Sequence, residues 1–391
     1  MMLDTLTQDL DMLKLIGDSN TQTSLLKVQD LPMKGRGYVA TQDLAAGTLI
    51  HIASPLATVV SEEWRPETCM GCFAFSYPKR MKVKTVVDQD LVAWWQRSVM
   101  KKSTVKKPFS LGHVAFCTDQ CKQNYLETTG DDAWYTWLTC MYRLEHYTPT
   151  KTTTMYGSDD DLEDPTTVLD DDKALRMYLD KLWDRAATTT STDDLDDSDR
   201  TMCRFIVSCL VQHKTSGTDF DALWDMQDNE LGHIRHLQGS TTEIQHAMHL
   251  YQHIVSAMTS PIKSASATVP VVLGPHDLTP GLFRAIYYRE MANSFGLWEQ
   301  SKDGDAVTDD LELLGFGIYP SAVYFNHACE ANAIKIRHGR AMHFYTKRAV
   351  ARGEEVCISY GNVDAPFQER RQRLLDHYHF VCACTRCLSE L

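Results

Sequence analysis

Twelve cysteines punctuate this 391-residue chain, and seven of them fall into three tight groups. Cys69 and Cys72 make a C-x2-C in ETCMGCF, and Cys117 and Cys121 a C-x3-C in AFCTDQCKQNYLE. Cys382, Cys384 and Cys387 are packed into the terminal HFVCACTRCLSEL. Thiols at such spacing chelate, and four thiolates make a tetrahedral structural zinc site. Cys69, Cys72, Cys117 and Cys121 supply one full set, the competing assignment being unpaired core cysteines. The tail supplies three, so its fourth ligand must come from Cys140, Cys203, Cys209, Cys329 or Cys357. Cys203 and Cys209 sit in the apolar, helix-like CRFIVSCLV, Cys357 in the strand-like EEVCISY, and Cys140 in a Trp-rich helical stretch. Cys329, in the polar loop FNHACEAN, is the best remaining candidate. A zinc joining it to the tail would fold the C-terminus over Asn326 and His327, a lid whose hinge is metal.

Elements able to position these thiols follow from periodicity and turn chemistry. Residues 1–24 begin with spaced apolar residues and aspartates, an amphipathic helix rather than a targeting peptide. Residues 25–60 read as the strands LLKVQD, GRGYVAT and TLIHIAS, with turns at MKGRG and DLAAG. Residues 61–130 form the zinc segment, whose second cysteine pair opens a helix. Its lysines and arginine (Lys79, Arg80, Lys82, Lys84, Lys101, Lys102, Lys106, Lys107) read as a solvated loop surface rather than a nucleic-acid patch. Residues 131–270 read as a helical insertion containing an acidic linker at 151–200, expected to be partly disordered around the short helix KALRMYLDKLWDR. LTPGLFRAIYYREMANSFGLW reads as one helix through Trp298, followed by short strands to about residue 361 and a tail over 362–391. Trp64, Trp94, Trp95, Trp134 and Trp137 read as core packing rather than a ligand cage.

The formal charge of −13 argues against broad electrostatic binding of nucleic acid and suits a basic protein partner. A hydrophobic content of 43% supports a sizeable core, and no apolar run reaches the ~18 residues a membrane helix needs. The expectation is a monomer in the cytoplasm, the nucleus or both, without a membrane association.

Four stretches precede the tail in a telling order: MKGRGYVA (33–40), REMANSFGLWE (289–299), GIYPSAVYFNHACEANA (317–333) and RAVARGEEVCISYGN (348–362), closed by HYHFVCACTRC (377–387). In this order they resemble the SET-domain protein lysine methyltransferases, most of all the subfamily that couples SET to a MYND zinc module. The resemblance runs from about residue 25 to the end and is weak over 131–270. It implies an α+β fold: a β-rich SET core with a pseudoknot, interrupted by a zinc-binding segment and a helical insertion, and closed by a post-SET zinc tail. The SET domain would then comprise 25–60 and 271–361. The resemblance also implies S-adenosylmethionine as cofactor, two structural zincs and a protein substrate, histone or non-histone, with an exposed lysine. Lys34, Gly35 and Arg36 would lie on the cofactor, Asn293 at its amino-acid end, and Asn326 and His327 at its amino group and adenine edge. Tyr360 would be the catalytic tyrosine, Tyr378 would line the lysine channel, and Phe380 would pack on adenine. His233, in ELGHIRHL, would match a helical histidine that contacts the cofactor.

The chemistry suits those roles. Methyl transfer to an amine needs a neutral nitrogen, whereas free lysine has a pKa near ~10.4. A narrow apolar channel beside a sulfonium lowers that value, and tyrosine hydroxyls with backbone carbonyls aim the lone pair. The chain departs from the family pattern in three places. N-H-A-C-E-A-N carries Ala328 and Ala331 where the family has Ser and Pro. The zinc segment lacks the H-x3-C ending of a full MYND module, and the sequence stops four residues after Cys387, where many members of the family continue into a helical domain. The alternative function is therefore a catalytically weak SET-fold scaffold or interaction protein.

Overall fold

The structure is a computed structural model that describes residues 24–391 except 33, 88, 100–108, 150–167, 187–193, 239–240, 265–266 and 301–310. The N-terminal helix expected within 1–24, the lysines at 101–107 and the acidic run GSDDDLEDP lie outside the described residues. In chain order the strands and helices open with β1 (Leu26–Leu31), β2 (Gly35–Ala40), β3 (Leu49–Ala53), β4 (Ala57–Val60) and β5 (Val83–Val87). Next come α1 (Gln89–Ser98), β6 (Phe109–Phe116), α2 (Asp119–Thr129), α3 (Asp131–His146), α4 (Asp172–Ala186), α5 (Asp197–Ser216), α6 (Glu230–His236) and α7 (Thr241–Thr259). The two-residue strands β7 (Lys263–Ser264) and β8 (Ala267–Thr268) lead to α8 (Pro280–Asn293), β9 (Ser294–Trp298) and β10 (Leu313–Ile318). The chain closes with β11 (Asn326–His327), β12 (Ala333–His338), β13 (Ala341–Thr346), β14 (Cys357–Ile358), α9 (Phe367–Tyr378) and α10 (Thr385–Ser389).

Short sheets assemble from distant parts of the chain: β1 with β2, β4-β10-β9, β12-β13-β3, and β11 alongside β14. The β11–β14 pair is parallel, Asn326 opposite Cys357 and His327 opposite Ile358. It is on these two strands that the expected pseudoknot rests. One core fills the space between the sheets, with Leu297, Leu314, Tyr319, Phe325, Phe344 and Ile358 at most 1% exposed. A second, larger core joins the helices to the zinc segment and includes Trp95, Met141, Phe205, Leu223 and Ile254. The tryptophans behave as packing groups: Trp94, Trp95 and Trp134 are buried, Trp134 stacks on Trp137, and Trp64 meets Phe75 edge-on.

Polar groups lock the helical layer to the sheets. Arg204 of α5 donates to the Val60 carbonyl at 2.8 Å and pairs with Glu62. Arg65 bridges Glu62, at 3.2 Å, and Glu145 of α3. Arg143, fully buried in α3, donates to the carbonyls of Ala257, Val269, Pro270 and Ser260 and so ties α3 to the segment after α7.

Two local expectations change. The helix read through Trp298 ends at Asn293, and Ser294–Trp298 is a strand. Phe295 and Leu297 alternate inward there, and pairing with β10 satisfies the backbone that a continued helix would have used. Within the acidic stretch the expected short helix is present as α4, and it belongs to the folded part: Leu175, Leu179 and Trp183 are buried in the helical core at 1% exposure or less. No described helix is long and apolar enough to cross a membrane.

Candidate active site

Both thiolate sets assemble. The Sγ atoms of Cys69, Cys72, Cys117 and Cys121 lie within 4.8 Å of one another, as do those of Cys329, Cys382, Cys384 and Cys387. The close pairs are Cys69–Cys121 at 3.6 Å, Cys72–Cys117 at 3.7 Å and Cys329–Cys387 at 3.5 Å. A tetrahedral zinc with Zn–S of 2.3 Å sets its sulfurs about 3.8 Å apart, so both quartets fit that ion. All twelve cysteines are free of disulfides, and Cys140, Cys203, Cys209 and Cys357 are buried apart from both quartets. In the first quartet Thr118 caps α2, its hydroxyl accepting from the Cys121 N–H at 3.0 Å, which holds the second thiol pair in place. Arg337 of β12 then donates to the carbonyls of Cys72 and Phe73, fastening this cysteine loop to the β12-β13-β3 sheet.

The second quartet is built into the wall of a cavity. Cys329, Cys382 and Cys387 are buried with Leu374, and Tyr360, Tyr378 and Phe380 pack against them. Arg370, 2% exposed, donates to the Ala365 carbonyl at 2.7 Å and pairs with Glu390 of the tail, while Arg386 donates to Val363 at 2.9 Å. These bonds hold α9 and α10 together around the sulfurs.

The cavity has a volume of about 730 Å³, in the range of a drug-sized ligand site. Lys34, Gly35, Arg36, Asn293, Asn326, His327, Tyr360, Tyr378 and Phe380 all line it, although they come from five separate parts of the chain. His233 is not among the lining residues; it stands behind the wall, its ring 5.8 Å from that of His379. At the mouth, Gly35 adopts φ +71°, a left-handed turn that glycine takes without strain, and the Lys34 N–H donates to Leu31 at 3.1 Å. A Cβ on Gly37 would collide with the Asn326 amide and a Leu31 methyl, so a larger residue there would displace the Asn326 side chain from its place in the cavity wall. The Arg36 guanidinium lies 5.2 Å over the Tyr324 ring and donates to the Asp225 carbonyl. The Asn293 amide donates to Gln227 at 3.0 Å and to Arg289 at 2.8 Å.

At the inner end, the Tyr360 hydroxyl donates to the Phe325 carbonyl at 2.8 Å, and its ring centroid is 4.9 Å from that of Tyr378. Burial, with the neighbouring Tyr378, pushes the Tyr360 phenol well above its usual value, so it stays protonated. His327 is buried, which pulls its imidazole down to about 4. Its Nδ1 accepts the Tyr360 N–H at 3.1 Å, which leaves Nε2 to carry the proton and face Cys329 Sγ at 3.4 Å. His327 thereby links the cavity wall to a sulfur of the tail quartet, as outer groups around metal ligands do.

Several residues of the site were not apparent from the sequence. Glu355 accepts from Lys34 Nζ at 2.6 Å with one oxygen and from Asn326 Nδ2 at 3.0 Å with the other, binding the turn before β2 to β11. Burial pulls the Lys34 ammonium down, but the hydrogen bond and charge of Glu355 outweigh it and its pKa ends raised. Asn332 donates to Glu354 at 3.1 Å and accepts from the Cys357 N–H at 2.8 Å, which fixes β14. Asp225, Gln227 and Lys335 also line the cavity. A signal for Glu354 and Glu355 was present, as the acidic pair of GEEVCISY, but nothing local names their partners.

Comparison with known proteins supplies the family. The SET domain matches residues 35–361. The chain is similar to the potential protein lysine methyltransferase SET6 of Saccharomyces cerevisiae, 28% identical over 96% of this chain and 98% of the relative. It is also similar to the histone-lysine N-methyltransferase ASHR2 of Arabidopsis thaliana, 26% identical over 52% of this chain and 49% of that protein. Mouse histone-lysine N-methyltransferase SMYD3 matches at 26% identity over 50% of this chain and 40% of its own. With the SET match spanning most of its length, over the strands that build the cavity, the chain belongs to the SET-domain family.

Proposed function

We propose that the chain is an S-adenosylmethionine-dependent protein-lysine N-methyltransferase. The observation that carries this is one cavity lined by Lys34–Arg36, Asn293, Asn326–His327, Tyr360, Tyr378 and Phe380. When bound, the cofactor supplies an electrophilic methyl group on a sulfonium. Lys34, Gly35 and Arg36 would receive its carboxylate end, Asn293 and Asn326 its amino end, and His327 and Phe380 its adenine. The buried, protonated Tyr360, anchored on the Phe325 carbonyl, and Tyr378 beside it would form the polar collar that orients an acceptor nitrogen and excludes water. Each quartet of thiolates would hold one structural zinc, and the tail zinc would keep Tyr378 and Phe380 in place.

The substituted N-H-A-C-E-A-N loop is compatible with activity. The Ala328 N–H donates to the Ile358 carbonyl at 3.0 Å, so this turn is held by backbone and does not rely on the missing serine hydroxyl. The substrate is proposed to be a protein with an exposed lysine, drawn by the chain's net acidity. Transfer of a labelled methyl group to lysine-rich proteins, with Nε-methyl-lysine identified by hydrolysis, tests the proposal. A zinc-replete protein that binds cofactor yet labels no lysine would favour the scaffold alternative.

A further inference from the structure

Two lysines line the cavity, Lys34 and Lys335, and only the first is ion-paired among the described residues. Lys335 lies on β12, lines the same cavity as Tyr360 and Tyr378, and its Nζ sits 4.9 Å over the Phe295 ring. Phe295 is itself a lining residue, two positions past Asn293. Lys335 pairs with Phe344 across the β12–β13 ladder, so both side chains stand on one face of the sheet. The Phe344 ring stacks on Phe325 at 4.2 Å, and the Phe325 carbonyl receives the Tyr360 hydroxyl. Lys335 and the tyrosine proposed above as catalytic therefore border one cavity, with the Phe344–Phe325 stack beside them. Among the described residues the Lys335 ammonium has no carboxylate within ion-pair distance, whereas Lys34 is paired with Glu355. Lys335 is half-buried on β12, the edge strand of its sheet, and the desolvation there disfavours its charged form.

We infer that Lys335 is a methyl acceptor in cis: its amine occupies the acceptor side of the cavity, and the protein methylates itself there. This rests on the methyltransferase assignment. In the step, the Lys335 nitrogen lone pair forms the N–C bond as the C–S bond of the sulfonium donor breaks. Sulfur keeps the electron pair as a neutral thioether, and the amine's proton leaves to solvent. Burial pulls Lys335 down to about 8, so a usable fraction is neutral near physiological pH, unlike a surface lysine.

Three readouts test it on the full-length, zinc-replete protein. First, brief acylation without cofactor, followed by peptide mass spectrometry, should give a Lys335 reactivity that rises through about pH 8, while surface lysines rise later. A Lys335 midpoint equal to theirs overturns the inference. Second, incubation with methyl-labelled S-adenosylmethionine and no other substrate should label Lys335, at a rate per molecule unchanged by dilution. Loss of all label in Lys335→Arg and in Tyr360→Phe supports it. Third, calorimetric titration of cofactor into the wild type separates the two claims. Cofactor binding with no label on Lys335 in the wild type overturns self-methylation and leaves the methyltransferase assignment standing. Absence of cofactor binding in the wild type overturns both.

Discussion

The backbone N–H of Tyr360 donates to Nδ1 of His327 at 3.1 Å, while the opposite nitrogen of the same ring faces Cys329 Sγ at 3.4 Å. One imidazole thus couples the proposed catalytic tyrosine to the tail's thiolate quartet. Two features of the chain that look separate in sequence, the tyrosine after GEEVCIS and the terminal cysteines, form one mechanical unit.

Tyr360→Phe should leave cofactor affinity within a few-fold of wild type and lower kcat for methyl transfer by about 10²-fold, the usual scale for a positioned proton-carrying group. The hydroxyl bonds the Phe325 backbone carbonyl rather than any side chain proposed to hold the cofactor. Stopped-assay kinetics beside calorimetry would check the split. A Kd that rises as much as kcat falls would contradict it.

Metal removal should be asymmetric. Cys384→Ser and Cys117→Ser should each reduce zinc from two to one per chain by elemental analysis. The tail variant should weaken cofactor binding by about tenfold or more, because Cys384 lines the cavity and its quartet carries Tyr378 and Phe380. The Cys117 variant should bind nearly normally, since distant sites act independently to within ~0.5 kcal/mol. Equal losses would separate the tail from the site.

Arg143→Leu should be among the most damaging single substitutions away from the cavity. It would leave the carbonyls of Ala257, Val269, Pro270 and Ser260 without their buried donor. A loss of about 3–5 kcal/mol is expected from urea unfolding. A loss below ~1 kcal/mol would show that water replaces the guanidinium.

Lys335→Met should stabilise the protein, and most at lower pH. Below about pH 8 the folded and unfolded chains both hold the Lys335 proton, so the fold bears the full cost of a desolvated cation. From about pH 8 toward 10.5 the unfolded chain keeps a proton the folded one has released, and wild-type stability climbs with pH relative to the variant. Urea midpoints of the two proteins at pH 7 and pH 10 should therefore converge. A gap independent of pH would mean the lysine is solvated.

Both cysteine quartets were legible in the chain because closely spaced thiols mark ligand pairs, and Cys329 followed from elimination among the remaining cysteines. The strands around GRGYVA and TLIHIAS were legible from alternation bounded by turns. Ser294–Trp298 was hidden, because after a strong helical run its inward alternation is too short to announce a strand. Glu355 could not be read, since its partner Lys34 lies 321 residues away. Lys335 was missed for a different reason: in AIKIRH a lysine reads as the solvent side of a strand, and only the third-dimensional placement of Phe295 turns that side into a cavity. His233 shares a helix with His236, and both rings pack against His379; that contact, rather than the cavity, is where α6 presents it.

The most direct measurement is calorimetric titration of S-adenosylmethionine into zinc-replete protein, in parallel with Asn326→Ala. Asn326 lines the cavity and holds Glu355 with its amide, so its loss removes both a contact and the clasp to Lys34. Micromolar binding to the wild type, lost in Asn326→Ala while both zincs are retained, is the predicted result. No binding to a wild type that carries both zincs would contradict the cofactor site and, with it, the methyltransferase function.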